Sequence, residues 1–434
     1  MTQTTKPVAL AYGRTGLTVD LPASADVIEP RFLPGLADDA AAIRAALRQP
    51  RDARPLRELV LRGARVGIAI CDVTRAFPAR RVLPVLLDEI AEAGPAAVTL
   101  FIATGTHRLC TEAELDQMLG PDLQRRCDLV QHDAFDRSRH ADLGLIPETS
   151  VPALVEAAFL RQDVRITTGF IEPHLFAGFS GGPKMVAPGL AAIETVIELH
   201  SAARIGHPKA IWGITRGNPV HDAVRAIAAR AGVTFNLDVT LNRDHAITNV
   251  FAGELFASHA AGCTFATNTA MVPVPAPYDV VLTTNSGYPL DQNLYQTVKG
   301  MSAAAQIVKT GGHIVVASEC SDGLPSHGKY KDLLRQADGP DAFLAQLAEP
   351  GFAAHDQWQV QVQALIQKKA GVVVKADGLS AEQLRGAWLE PTDDVAGSTG
   401  RLLAAAGPGA RLAVLPQGPQ TIPYVASRQP SAAS

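Results

Sequence analysis

Three short runs of aliphatic and β-branched residues, Val66–Cys71, Val98–Ala103 and Val164–Thr168, recur in the first half of the chain with helical periodicity between them. Each run is continuously apolar, as a strand buried on both faces must be, and lacks the alternation of a sheet with one wet face. Helical spacing fits Val82–Ala93, Glu112–Leu119, Pro152–Phe159, Ala191–Arg204 and Val220–Ala231. Strands separated by helices need crossover connections, so the sheet is mostly parallel and flanked by helices. A second series follows: strand Asp279–Thr284, helix Leu294–Val308, and strands His313–Ser318, Gly371–Lys375 and Arg411–Leu415, with helical stretches at Lys331–Leu347 and His355–Lys369. Between the two series, residues 271–277 read Met-Val-Pro-Val-Pro-Ala-Pro, and three prolines in seven positions predict a linker. The expected fold is α/β in two lobes, residues 1–270 and 278–416, each a mostly parallel sheet flanked by helices, with the active site in the cleft between them. Residues 417–434, rich in Pro, Ser, Gln and Ala, are expected to form a partly mobile tail.

Size and composition narrow the function. A chain of 434 residues is too long for one ordinary core. A net charge of −4 with 5 % aromatic residues supplies neither the basic face nor the stacking surface that nucleic-acid binding requires. The five cysteines form no CxxC pair, which argues against both a disulfide framework and a thiolate zinc site; they read as small buried hydrophobes. The first residues lack a signal-peptide core, and no apolar run reaches the roughly 18 residues of a membrane span. A cytoplasmic protein is expected.

In open α/β sheets, ligands bind beyond the carboxyl ends of the strands. Polar residues gather at four such places. After the first strand comes Asp72-Val-Thr-Arg75, where an arginine can grip a carboxylate with two parallel hydrogen bonds and Asp72 can orient it or a nearby histidine. A helix cap beside a surface arginine explains these residues equally well. After the second strand comes Thr104-Gly105-Thr106-His107: hydroxyls and amides suited to an anion, and a histidine placed for general-base work. After the third lies Gly169-Phe-Ile-Glu-Pro-His174-Leu-Phe-Ala-Gly-Phe-Ser-Gly181-Gly182-Pro183-Lys184-Met185. This is not a P-loop, because Pro183 separates the glycines from Lys184 and Met185 follows it; the glycine amides can still cradle a phosphate. His200, on the predicted helix beyond, shares a face with Ile193, Val196 and Ile197 and is either a core histidine or a metal ligand. In the second lobe, Tyr295, Gln296 and Lys299 follow the Asp279–Thr284 strand at helical spacing, with Asp291 as the expected helix cap. His132, His207, His221 and His245 read as structural, and His327 as a loop histidine near the cleft.

Taken in order, DVTRAFP, TGTHR, EPHLFAGFSGGPK, a histidine sixteen residues beyond that lysine, and PLDQNLYQTVKGM resemble the nickel-dependent lactate racemase family over residues 60–330. The resemblance implies a nickel-pincer nucleotide, a pyridinium mononucleotide (pyridinium-3,5-bisthiocarboxylic acid mononucleotide) that binds nickel through two sulfurs and a carbon. It further implies covalent attachment at Lys184, His200 as the fourth nickel ligand, and His107 and His174 as the two catalytic bases. Arg75, Tyr295, Gln296 and Lys299 would hold the substrate, with Asp72 behind them; Thr104, Gly105, Thr106, Gly181 and Gly182 would contact the cofactor. The implied partners are a small 2-hydroxy carboxylate and the proteins that build the cofactor.

Elementary chemistry agrees. The α-hydrogen of a 2-hydroxy acid is far too weakly acidic for a histidine of pKa about 6.5. Removal as hydride is easier, but no side chain accepts hydride, so a cofactor must. The expected course passes through a planar 2-keto acid held by Arg75 and Lys299, which then receives the hydride on its other face. Two bases, one for each enantiomer, are required. Competing readings are a zinc hydrolase built on His107, His174 and His200, a nicotinamide dehydrogenase, and a non-catalytic carboxylate- or nucleotide-binding protein. The dehydrogenase lacks support, since Gly407-Pro-Gly409 precedes a strand and has no third glycine.

Overall fold

The computed structural model describes residues 4–31, 33–325 and 328–428, which divide into two compact units. The larger comprises Phe32–His200 and His207–Thr269; the smaller comprises Met1–Arg31, Ser201–Gly206 and Ala270–Pro430.

The larger unit is built on six strands in the spatial order Ile247–Gly253, Phe235–Leu241, Val164–Phe170, Arg65–Cys71, Ala97–Ala103, Asp128–Gln131. All neighbours are parallel except the edge pair of Ile247–Gly253 with Phe235–Leu241. Ile68, Ile70, Leu100, Ile102, Ile166, Leu237 and Val239 are fully buried, as continuous apolar runs demand. From Arg65–Cys71 the chain winds outward through Ala97–Ala103 to Asp128–Gln131, then returns to place Val164–Phe170 on the opposite side of Arg65–Cys71. The strand order therefore reverses between Arg65–Cys71 and Val164–Phe170. Ligands favour the carboxyl side of such a reversal.

The smaller unit is also built on six strands, all parallel: Glu390–Pro391, Gly371–Lys375, Val308–Ala317, Tyr278–Thr284, Leu412–Leu415, Asp26–Val27. The edge strand Asp26–Val27 comes from the N-terminal part of the chain. The hairpin Thr5–Leu10/Leu17–Pro22 buries Val8, Leu10, Val19 and Leu21 against Val280, Leu282, Val315, Leu412 and Val414. Residues 4–31 thus belong with the later part of the chain, and not with the first lobe as the linear reading placed them. Their partners lie hundreds of positions further along the chain, beyond any local signal.

Three further expectations are corrected. Pro152–Phe159 is not a helix: Val151–Glu156 is a strand paired with His140–Ile146, and only Ala157–Leu160 is helical. The long helix over Ala191–Arg204 is two short ones, Ile193–Leu199 and Ala202–Ile205, broken at His200. The proline-rich "linker" contains a strand, Met271–Val274, paired in parallel with Ile422–Val425 in a sheet of two, where prolines cost no central ladder bond. That pairing also orders residues 422–425 of the expected tail; its last six residues, 429–434, lie outside the described residues. All five cysteines are buried and unpaired, as expected. Among the described residues no helix is long and apolar enough to cross a membrane.

Candidate active site

The strand reversal of the larger unit carries the residues singled out from sequence. The Arg65–Cys71 strand ends directly at Asp72, which is 4 % exposed. Its Oδ2 lies 2.7 Å from His107 Nδ1, and its Oδ1 accepts from the Thr74 hydroxyl at 2.6 Å and the Thr74 amide at 3.2 Å. Of the two roles open to Asp72, it takes the histidine. Burial pushes its carboxyl upward, but hydrogen bonds from His107 and Thr74 and the charge of Arg75 outweigh burial, leaving its pKa below the ordinary value. The carboxylate can only accept, so His107 carries its proton on Nδ1 and, when neutral, a lone pair on Nε2. The Arg75 guanidinium is steadied by the Thr74 hydroxyl at 3.0 Å.

The Thr104–His107 segment leaves the adjacent Ala97–Ala103 strand in a tight turn, with the His107 amide donating to the Thr104 carbonyl at 3.0 Å. Gly105, at φ +58°, donates to the Gly189 carbonyl at 3.0 Å, tying this turn to the lysine loop. The Thr104 side chain is buried, and its hydroxyl donates to the His132 carbonyl at 2.7 Å.

The glycine-rich stretch beyond Val164–Phe170 is a small folded unit. Pro173–His174 pairs with Gly178–Phe179, and Gly182–Met185 closes a 3₁₀ turn carrying Lys184. Leu175, Phe176, Phe179 and Val186 are buried, so the segment packs as well as presenting polar groups. Gly182 sits at φ +50°, and a Cβ there would meet the His259 ring at 2.5 Å; only glycine fits.

Phe176 is the hub. Its ring meets His174 edge-to-face at 4.6 Å and His200 edge-to-face at 5.1 Å, and Lys184 Nζ lies 5.8 Å from its centroid. The expected base, nickel ligand and tether thus share one aromatic neighbour. His200 ends its helix, with Nδ1 2.7 Å from the Val196 carbonyl. That bond places the ring proton on Nδ1 and the neutral lone pair on Nε2, the arrangement a metal-binding histidine needs. His174 differs: its Nδ1 faces the amides of Phe176 at 3.5 Å and Ala177 at 3.3 Å, so a neutral ring in this pose carries its proton on Nε2.

Beneath the turn lies Asp238, fully buried, accepting from the Gly182 amide at 2.9 Å and Asn236 Nδ2 at 3.0 Å. Burial pushes its carboxyl up to about 7 against those hydrogen bonds. His259 holds the Ser180 carbonyl from the other side at 2.9 Å, and burial pushes its pKa down to about 4. The sequence reading missed Phe176, Asp238 and His259. Asn236 and Asp238 were detectable: two polar residues in phase within the apolar strand FNLDVTL. Phe176 and His259 carry no such signal.

Among the described residues, no three His, Cys, Asp or Glu side chains converge as a metal site.

In the smaller unit, the Leu294–Ala305 helix is capped by Asn293, whose side chain accepts from the Gln296 amide at 3.1 Å. Asp291 is not the cap: it is fully buried and accepts from the amides of Gly13 at 2.7 Å and Glu319 at 3.1 Å. Leu294, Thr297 and Val298 face the interior, leaving Tyr295, Gln296 and Lys299 half-buried. The Trp358 indole donates to the Tyr295 hydroxyl at 3.1 Å, and Gln359 holds the Tyr295 carbonyl at 2.5 Å. His327 lies outside the described residues.

Comparison with known proteins decides the family. A lactate racemase N-terminal domain model matches residues 12–213, and a lactate racemase C-terminal domain model matches residues 274–422. The chain belongs to the lactate racemase family. The lactate racemase of Thermoanaerobacterium thermosaccharolyticum is 33 % identical over 401 residues, covering 89 % of this chain and 92 % of that protein. The lactate racemase of Lactiplantibacillus plantarum is 33 % identical over 379 residues, covering 87 % and 89 %. The structure of the Thermoanaerobacterium lactate racemase apoprotein superimposes with a TM-score of 0.91 at 31 % identity, covering 96 % of this chain and all of that one. A Thermotoga maritima protein shares the fold alone, with a TM-score of 0.67 at 19 % identity. As a lactate racemase family member, this chain is an isomerase.

Proposed function

We propose that this protein inverts the carbinol carbon of a small 2-hydroxy carboxylate, lactate being the simplest candidate, with a nickel-pincer nucleotide attached at Lys184. The grouping of His174, Lys184 and His200 around Phe176 carries this reading. The residues fit the group. The His200 imidazole bonds the Val196 carbonyl through Nδ1, the tautomer that a metal-ligating histidine needs. A metal that brings its other donors on an organic ring suits such a site. When bound, the nucleotide supplies the hydride acceptor that the side chains cannot.

The chain's own residues handle the proton and the carboxylate. Arg75 binds the substrate carboxylate. His107, held by Asp72, takes the hydroxyl proton at Nε2 for one enantiomer. For the other enantiomer His174 is the base, and its Nε2 must first give up the proton that it carries in this pose.

A chirality screen over 2-hydroxy acids with protein co-expressed with cofactor-building proteins tests the assignment. Either pure enantiomer should drift to a racemic mixture, and Lys184→Ala should abolish the drift. Racemisation that survives Lys184→Ala would end this reading.

A further inference from the structure

Behind the Thr104–His107 turn lie two histidines that the proposed reaction does not use. His132 is fully buried and His140 is 6 % exposed, and their Nε2 atoms stand 2.9 Å apart. His140 Nδ1 lies 2.9 Å from the Asp136 carbonyl, while His132 Nδ1 lies 3.2 Å from the Thr104 hydroxyl. Burial pushes His132 down to about 3, with the neighbouring His140 adding to the effect, and burial lowers His140 as well. Both rings are therefore neutral at neutral pH.

The proton count then fixes the sense of the ring-to-ring bond. A carbonyl can only accept, so His140 carries its single proton on Nδ1 and offers a lone pair at Nε2. His132 must fill the 2.9 Å gap with its own Nε2–H. That leaves a lone pair on His132 Nδ1, and the single hydrogen of the Thr104 hydroxyl is shared between the His132 carbonyl at 2.7 Å and this nitrogen at 3.2 Å. The His132 amide also donates to the Ile102 carbonyl at 3.2 Å. Backbone and side chain of His132 thus both grip the end of the Ala97–Ala103 strand, and the next turn delivers His107. Burying two imidazoles costs desolvation, and an apolar pair would fill the space at lower cost. A fully satisfied buried network instead specifies one geometry.

We propose that His132 and His140 are positioning residues for His107: they fix the Thr104 hydroxyl, and the Thr104–His107 turn then sets the ring that takes the substrate proton. This rests on the reading of His107 as a base. The brace acts through a single threonine oxygen, so its parts should fail together. Thr104→Val keeps the shape and removes the hydroxyl; His132→Leu removes the ring nitrogens; His140→Gln keeps an acceptor for His132 where His140→Leu does not.

The test is a double-mutant cycle on racemisation, with intact mass at Lys184 and thermal melting as controls. A misplaced base costs on the order of 100-fold in kcat. Thr104→Val and His132→Leu should each show a loss of that order with KM little changed, the pair should be no worse than either alone, and His140→Gln should recover most of what His140→Leu loses. Additive losses, or Thr104→Val with wild-type kcat, would overturn the proposal. Nitrogen-15 NMR of histidine-labelled, cofactor-free protein provides a second readout. A far-downfield His132 Nε2–H signal should vanish in His140→Leu, and the single set of His107 ring signals should split in Thr104→Val. An unchanged His107 in Thr104→Val overturns the brace. Wild-type protein that racemises no 2-hydroxy acid fails the functional reading instead, and the NMR result then judges the brace alone.

Discussion

Replacing Asp72 by asparagine tests the His107 assignment at its origin. The substitution keeps size and shape but exchanges an acceptor-only carboxylate for an amide that can donate to His107 Nδ1. The ring proton then moves to Nε2, the atom proposed to receive the substrate proton. Hydrogen bonds to charged groups contribute about 1.5–3 kcal/mol, which at about 1.36 kcal/mol per decade is roughly 10- to 150-fold in rate. The His107 side chain is 38 % exposed while Asp72 is only 3 % exposed. Water therefore competes at one end of the bond, and the lower part of the range applies, about 10- to 30-fold in kcat. The assay is chiral chromatography of lactate under saturating substrate, with intact mass confirming that the modification at Lys184 is retained. A kcat within twofold of wild type would refute the tautomer argument. Loss of the Lys184 modification would show that Asp72 supports the cofactor and not the base.

Three further outcomes are expected. Arg75→Lys should raise KM more than it lowers kcat, because a single ammonium cannot reproduce the two-pronged grip on a carboxylate; steady-state kinetics separates the two. Phe176→Leu should keep the fold but lower nickel content at full Lys184 modification, whereas Phe176→Tyr, which keeps the ring, should restore it; metal analysis reads this. Stability should fall as pH drops below the ordinary histidine value of about 6.5, because His132 and His221 are held down to about 3 and His259 to about 4, so the unfolded chain takes up protons that the folded one does not. Asp238, raised to about 7, works in the opposite sense, losing stability as pH rises from the ordinary carboxylate value towards 7. With three histidines against one carboxyl the histidines prevail, and urea melts of Asp238→Asn should show a steeper acid loss than wild type.

The parallel strands were legible because each is a continuous apolar run, and the residues just past Cys71, Ala103 and Phe170 followed from their position at carboxyl ends. What escaped depends on distant partners. The N-terminal hairpin alternates buried and exposed residues, but nothing local says that its apolar face meets Val280 and Val414. The 191–204 helix breaks at His200, where the chain leaves one unit for the other, a tertiary demand that overrides a helical pattern. Val151–Glu156 is a strand because His140–Ile146 lies beside it to pair with. Within the site, side chains with chemistry of their own stood out, whereas Phe176 drew no notice because a phenylalanine in a loop looks like any other.

The most direct test is intact-mass and metal analysis of racemase-active protein. One nickel per chain and a covalent mass increment localised to Lys184 are expected, both lost together in Lys184→Ala. Fully active protein without nickel and with an unmodified Lys184 would contradict the account.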